Sequence, residues 1–338
     1  MKLESLLLAI MFLACTANAA GEDSIDSELF GVFSYLGIIL LSFLFILVIV
    51  IPFVNEVVDR RKVLPARGPL TNPIILLIEF FAGVSIILIA FPNTGFVGLN
   101  QTEALVYIIS GICALLPFTI FLVIAFISDI YKRNLMANIF PMAMWGTVAS
   151  SAALVLNQFF ELLVVSLQVN PIFILLALAA FFEEALKGIG LLEFFKHRIP
   201  HTVLAMLYGF SIGIGFSVIE NWLYFSYVST PDSLGVRNWT HILFHRSFFT
   251  TLAHAFFTAS NALIVCKLKS KSRFIIGLLC AFVLHMAYNL LFVLELSDLS
   301  PFFVLAMAVT FLYVVYLEMA SYQGNRRISG LVARVRRK

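Results

Sequence analysis

The chain has 338 residues, of which 61% are hydrophobic and only 12% are charged, with a formal net charge of +3. Soluble globular domains carry roughly 25% charged residues. A chain this apolar cannot bury its hydrophobic surface in one core and still cover itself with polar groups. The composition therefore excludes an ordinary soluble protein and predicts an all-α, polytopic membrane protein.

The first residues have the pattern of a secretory signal peptide. Lys2 supplies a positive charge, residues 6–13 are apolar, and residues 17–19 read Ala-Asn-Ala, a pattern of small residues at a cleavage site. We expect a signal peptide over residues 1–19, with an uncleaved anchor as the alternative.

Nine apolar stretches of about the length that spans a bilayer follow the signal. We predict about nine transmembrane helices, at residues 32–54, 73–92, 104–127, 140–166, 172–194, 202–228, 243–265, 274–295 and 301–320.

The basic residues between these stretches predict the orientation. Of the 22 Lys and Arg residues, 18 fall on alternate loops and on the C-terminal tail, whereas the opposite loops hold one, Arg237. Basic loops remain in the cytoplasm. We therefore expect a multi-pass plasma or inner membrane protein with its N-terminus outside and its C-terminus in the cytoplasm. The basic tail is expected to contact anionic lipid and not nucleic acid.

Ionisable residues inside spans are costly and usually functional. The fifth stretch contains Glu183, Glu184 and Lys187. A purely structural interpretation pairs Glu183 with Lys187, four residues apart on one helix face. That pairing leaves Glu184 unexplained, and two adjacent carboxylates in a membrane are typical of general-base chemistry.

The sixth stretch combines small residues with a carboxylate. Gly209, Gly213 and Ser217 form a row at intervals of four, which favours close helix packing. Glu220 and Asn221 follow on the outer side of this row, and packing alone does not require a carboxylate.

The seventh and eighth stretches add a cation, two histidines and an amide. Arg246 lies near the outer end of the seventh and His254 near its middle, while His285 and Asn289 share one face of the eighth. We expect these side chains and the glutamates to line one cavity, at mid-depth and open toward the outer half of the bilayer.

Four motifs at these positions resemble those of the PrsW family of bacterial and archaeal membrane proteases, within a superfamily that includes CAAX prenyl endopeptidases and the Aph-1 subunit of gamma-secretase. The motifs are Glu183-Glu184-x-x-Lys187, Gly213-x-Gly215-Phe216-x-x-x-Glu220-Asn221, His254, and His285-x-x-x-Asn289. The resemblance covers residues 140–320. It divides the chain into a signal (1–19), an N-terminal transmembrane region (20–135), a PrsW-like core (136–322) and a basic tail (323–338).

The resemblance implies a glutamic-type peptidase without a cofactor that cleaves a membrane-protein substrate. Glu183 or Glu184 would activate water, and His254 would polarise or protonate near the scissile carbonyl. His285 and Asn289 would stabilise the oxyanion. The remaining roles are orientation of the water or a histidine by Glu220, charge balance by Lys187, and support from Phe216, Asn221 and Arg246.

Three alternatives remain open on the sequence alone. Two histidines and a glutamate can hold zinc with a position open for water, although no His-Glu-x-x-His helix is present. A non-catalytic scaffold like Aph-1 would use the same polar residues to hold helices together. A transporter would use them as a proton relay, but no inverted repeat of apolar segments is apparent. Oligomeric state is not encoded in any pattern we recognise.

Overall fold

The computed structural model describes residues 101–131, 136–166, 172–195, 201–228, 234–268 and 272–335. The predicted signal peptide and the first two predicted spans lie outside these ranges. Within them every regular element is a helix, in agreement with the predicted all-α class.

The described helices follow one another with short connections. They are α1 (Gln101–Tyr131), α2 (Met136–Ser166), α3 (Ile172–Phe195), α4 (Thr202–Leu223), α5 (Val236–His245), α6 (Thr251–Lys267), α7 (Arg273–Val293) and α8 (Ser300–Val335). A π-helical segment, Tyr224–Val228, continues α4, and a second, Arg246–Thr250, joins α5 to α6 in one rod. Such π-helical segments occur frequently at functional sites.

Five helical segments in the described ranges are long and apolar enough to cross a membrane, which agrees with a multi-pass protein. They are Asn138–Glu161, Thr202–Ser226, Arg237–Lys267, Arg273–Val293 and Ser297–Glu318. The fifth predicted stretch coincides with α3 but is absent from this set, because three charged residues interrupt its apolar sequence. The apolar part of α1, Ile108–Val123, is shorter. The total of nine spans remains a prediction.

Proline helps to fix where the last helix begins. Pro301 is the second residue of α8. The fixed φ of proline suits the first turn of a helix, where its missing N–H is not needed. α8 then runs for 36 residues, about 54 Å at 1.5 Å per residue. It therefore continues beyond the predicted end of the last span at residue 320 and into the predicted tail.

Five helices form a ring around a polar centre. α4 packs between α2 and α6, α3 packs against α2 and α7, and α7 closes the ring against α6. α1 and α8 pack on the outside of this ring. Apolar side chains such as Ile139, Leu191 and Ile212 fill the space between α2, α3 and α4.

Glycines allow α4 to approach both of its neighbours closely. A Cβ atom at Gly213 would lie 2.3 Å from the carbonyl oxygen of His254 on α6, and one at Gly215 would lie 1.8 Å from that of Ala143 on α2. Both distances are shorter than any non-bonded contact. The predicted packing role of Gly209 and Gly213 is thus borne out, because both face the backbone of α6. This approach brings α4 and α6 close enough for their polar side chains to meet.

Candidate active site

Lys187 forms the buried centre of the polar cluster. Its Nζ lies 2.7 Å from Oε1 of Glu184 and 2.9 Å from Nδ1 of His254, and 3.8 Å from the centroid of the Phe216 ring. Both side chains of the Lys187–Glu184 pair are fully buried. Lys187 therefore pairs with Glu184, three residues away on the same helix face, and not with Glu183 as the structural interpretation of the sequence assumed.

His285 connects the two adjacent glutamates from α7. Its Nδ1 lies 3.0 Å from Oε1 of Glu184, and its Nε2 lies 3.7 Å from Oε2 of Glu183. Because a carboxylate oxygen only accepts hydrogen bonds, Nδ1 carries a proton and Nε2 faces Glu183. Phe257 stacks on the imidazole at 5.0 Å between ring centroids and fixes the plane of the ring.

Glu183 differs from Glu184 in exposure and in partners. The Glu183 side chain is 11% exposed, whereas that of Glu184 is 0% exposed. Oε1 of Glu183 accepts a hydrogen bond from Nδ2 of Asn157 on α2 at 3.2 Å, and its Oε2 has no hydrogen-bond partner among the described residues. One oxygen of each glutamate lacks a hydrogen-bond partner among the described residues. Glu183 is thus distinguished as the more exposed carboxylate of the pair and as the one that is not paired with Lys187.

Glu220 joins His254 to Arg246 at the more open side of the site. Its Oε2 lies 2.8 Å from Nε2 of His254, and its Oε1 accepts a hydrogen bond from Nη2 of Arg246 at 2.5 Å. Arg246 also donates from Nε to Oδ1 of Asn221 at 3.2 Å, and its guanidinium lies over the ring of Tyr224. The two π-helical segments therefore meet at Arg246, and both nitrogens of His254 contact charged groups.

The structure brings together most of the side chains selected from the sequence. Asn289 is half-buried on α7, one turn beyond His285, and forms no hydrogen bond with the cluster within the described part of the chain. His241 and His245 lie four residues apart on α5, with ring centroids 6.5 Å apart, and Nε2 of His245 lies 2.7 Å from Oγ of Ser300. His245 therefore has a protein partner outside the cluster.

Asn157 is the residue of the cluster that the sequence reasoning missed. It lies on α2, a helix for which we predicted no role in the site. The available signal was the pair of amides Asn157 and Gln158 between apolar residues, since asparagine in a span usually hydrogen-bonds across helices.

The cluster has the spacing of a metal site but not its donor chemistry. One potential ligand atom each from Glu183, His254 and His285 lies within 4.8 Å of the others. An ammonium group only donates, so Lys187 occupies the lone pair of Nδ1 of His254. The Nε2 of a neutral His254 then carries the proton and lies against Glu220. These residues as arranged do not supply a third metal ligand.

The comparisons with known proteins identify a family. No curated protein and no solved structure matches the chain significantly. A family model described as PrsW family intramembrane metalloprotease matches residues 135–317, which include every member of the cluster described above. Because this match spans more than half of the 338 residues, the chain belongs to the PrsW family of intramembrane proteases.

Proposed function

We propose that this protein is a membrane-embedded endopeptidase of the glutamic type, in which Glu183 activates a water molecule and no metal takes part. The observation that carries the proposal is that Glu183 is the partly exposed glutamate and is not paired with Lys187, while its unpartnered Oε2 faces Nε2 of His285. Glu184, which the sequence left as an equal candidate, is instead the buried partner of Lys187 and His285.

The proposed reaction begins with the water. The 3.7 Å between Oε2 of Glu183 and Nε2 of His285 is too long for a hydrogen bond and leaves both atoms available. A water bound at Oε2 transfers a proton to the carboxylate as its oxygen attacks the scissile carbonyl carbon. Because the general base and the nucleophile are adjacent, no covalent enzyme intermediate is required.

The breakdown of the tetrahedral intermediate needs a proton donor and an anion site. His254 presents Nε2–H toward Glu220, and Arg246 holds that carboxylate from the other side. We assign protonation of the leaving amine to Glu183, which returns the proton that it took from the water as the C–N bond breaks, and we assign polarisation of the scissile carbonyl to His254. His285, in its protonated form, and Asn289 are the proposed donors to the oxyanion, a role in which one donor typically contributes about 10² to 10³ in rate.

Lys187 supplies the positive charge that a metal ion supplies in other peptidases. Its ammonium contacts Glu184, His254 and the face of Phe216. A cation is therefore already present within hydrogen-bond distance of His254, one of the three potential metal ligands. A divalent ion at the same cluster would repel Lys187 and would require His254 to release a partner. These contacts support a metal-independent reaction.

The proposed substrate is a membrane protein cut at or just outside the outer half of the bilayer. Exposure increases from His254 (3%) to Glu183 (11%) and Glu220 (22%), so the site is most open at Glu220. With the orientation predicted from the basic loops, that side faces away from the cytoplasm.

The test compares membranes from cells that express the wild type or Glu183→Gln. We expect new protein N-termini, identified by N-terminal peptide mass spectrometry, with the wild type and none of them with Glu183→Gln at equal protein level. His254→Ala and His285→Ala should also abolish them. Identical N-termini from all four proteins would reject the protease in favour of a scaffold.

Metal independence has its own test. The purified wild type, assayed on a peptide covering one of those cleavage sites, should retain its rate after treatment with a strong chelator. Loss of activity that zinc restores would overturn the metal-free proposal while leaving the protease intact.

A further inference from the structure

Asn157 joins α2 to Glu183, although α2 carries no charged member of the site. Its Nδ2 lies 3.2 Å from Oε1 of Glu183. Since a carboxylate oxygen only accepts, the atom facing it is the NH₂ group, and the amide oxygen Oδ1 points elsewhere. The orientation of the Asn157 amide is therefore fixed by Glu183.

Aromatic stacking holds this amide in position. Phe160, one turn after Asn157, stacks on Phe182 at 4.7 Å with an angle of 12° between the rings. Phe182 immediately precedes Glu183 in α3. The stack thus fixes the register of α2 against α3 next to the Asn157–Glu183 hydrogen bond, and the amide has little freedom to turn away.

The other end of the amide has no partner. Oδ1 of Asn157 is buried and accepts no hydrogen bond from the described residues. A buried acceptor without a partner costs about 1–3 kcal/mol, so such atoms in proteins usually bind water or a ligand. Glu183, held by the same amide, also has a free oxygen, Oε2. The two side chains that share the Asn157–Glu183 hydrogen bond therefore each have an unpaired acceptor atom, Oδ1 of Asn157 and Oε2 of Glu183.

The chemistry that satisfies such acceptors is an N–H donor. In a helical transmembrane substrate the backbone N–H groups are bonded within the helix. Once a segment is unwound for cleavage, its N–H groups need acceptors, and an amide oxygen beside the general base can supply one. Water would then bind to Oε2 of Glu183, and a backbone N–H of the substrate would bind to Oδ1 of Asn157.

We propose that Asn157 is a positioning residue with two functions: its Nδ2 orients Glu183, and its Oδ1 binds a backbone N–H of the unwound substrate close to the scissile bond. The proposal rests on the proposed protease function. It assigns to α2 a part of the substrate site that the acidic and histidine residues do not provide.

The test replaces single backbone amides of the substrate by esters, which removes one N–H at a time. The probe is a synthetic peptide covering a cleavage site found by the N-terminal comparison above, with an ester at each position except the scissile bond. With the wild type we expect an ester at one position to lower kcat/KM by about 2- to 10-fold, the effect of one hydrogen bond. With Asn157→Ala that ester and the parent peptide should be cleaved at equal rates.

Asn157→Asp separates the two functions and guards against a variant that does not fold. As an ionised carboxylate, at a pH above its pKa, it retains acceptor oxygens but cannot donate to Glu183. It should keep the ester effect and lose kcat. The matched control is Asn261→Ala, on α6 about 10 Å along the helix from His254, because Asn261 also has a buried Oδ1 without a partner. This control should keep the full ester effect.

The outcomes distinguish this inference from the function on which it rests. Equal sensitivity of the wild type and Asn157→Ala to every ester would overturn the substrate contact. An unchanged kcat in Asn157→Asp would overturn the positioning of Glu183. A wild type that cleaves no peptide, with no new N-termini in membranes, would overturn the proposed protease and this inference with it.

Discussion

The charges of Glu183 and Glu184 have different consequences for the protein, although the residues are adjacent. Glu184 and Lys187 are fully buried together, so Glu184→Gln leaves the ammonium without its anion. Breaking a buried pair on one side costs about 3–5 kcal/mol. We expect Glu184→Gln to lower the free energy of unfolding by about that amount, measured by denaturation in detergent. Glu183→Gln, whose carboxylate has no cation partner of this kind, should be much closer to the wild type. Equal destabilisation by the two substitutions would contradict the assignment of Lys187 to Glu184.

The function of Arg246 depends on the shape of its guanidinium group as well as on its charge. Its Nη2 and Nε contact Glu220 and Asn221 separately, and a lysine cannot reproduce this fork. A hydrogen bond between charged groups contributes about 1.5–3 kcal/mol. Arg246→Lys should therefore lower the free energy of unfolding by no more than about that amount, and it should reduce kcat about tenfold or more, because Glu220 is then no longer fixed beside His254. Arg273→Lys, at the start of α7 and remote from the site, is the matched control. Full activity of Arg246→Lys would mean that charge alone is sufficient at this position.

The sequence predicts the identity of these residues better than their pairing. Glutamate and histidine in apolar stretches are recognisable because the membrane makes them costly. The partner of Lys187 is not recognisable, since positions three and four residues away share its helix face equally well. The role of Asn157 is not recognisable in the sequence for a related reason. An uncharged amide is less costly in a span, and its role depends on the rotation of α2, which a single sequence does not specify.

At the scale of the helices, the site depends on how closely α4 approaches α6. A Cβ atom at Gly213 would lie 2.3 Å from the carbonyl oxygen of His254 itself. We expect Gly213→Ala to push the two helices apart, at the 1–3 kcal/mol that is typical of about one extra methyl group in a packed core. Because the displaced backbone carries His254, activity should fall together with the thermal unfolding midpoint.

Gly188→Ala is the control for this substitution, because its Cβ would lie 3.5 Å from Nδ2 of Asn261, an ordinary contact. It should leave both the unfolding midpoint and the rate close to those of the wild type. A Gly213→Ala protein with normal stability and activity would contradict the close packing of α4 and α6.

Helix positions were predictable to a useful extent, and helix neighbours were not. The seven predicted stretches that fall in the described part of the chain coincide with helices, because their apolar length is a direct property of the sequence. The contact between α3 and α7, which closes the ring, cannot be predicted in this way, since it joins segments about a hundred residues apart in the sequence. α3 also illustrates a limit of hydropathy, because the charges to which we assign a catalytic role exclude it from the candidate spans.

At the scale of the whole molecule, the orientation links the charge distribution to the site. The 18-to-1 distribution of basic residues predicts that the segment between α4 and α5 is outside and that the segment between α6 and α7 is in the cytoplasm. Glu220 and Arg246 lie toward the first of these segments along their helices. With this orientation, the open side of the site faces the outer half of the bilayer. The proposed side of cleavage therefore depends on the predicted topology.

The predicted topology can be tested by labelling single cysteines on each side of the membrane. In a background without Cys15, Cys113, Cys266 and Cys280, single cysteines are introduced as Ser233→Cys, between α4 and α5 in the sequence, and as Ser270→Cys, between α6 and α7. A membrane-impermeant maleimide added to intact cells should label the first and not the second, and both should react after the cells are opened. The reverse labelling would turn the Glu220 side toward the cytoplasm. It would leave the chemistry of the cluster unchanged but move the proposed cleavage to the cytoplasmic half of the membrane, because the same side chains would then open to the opposite face.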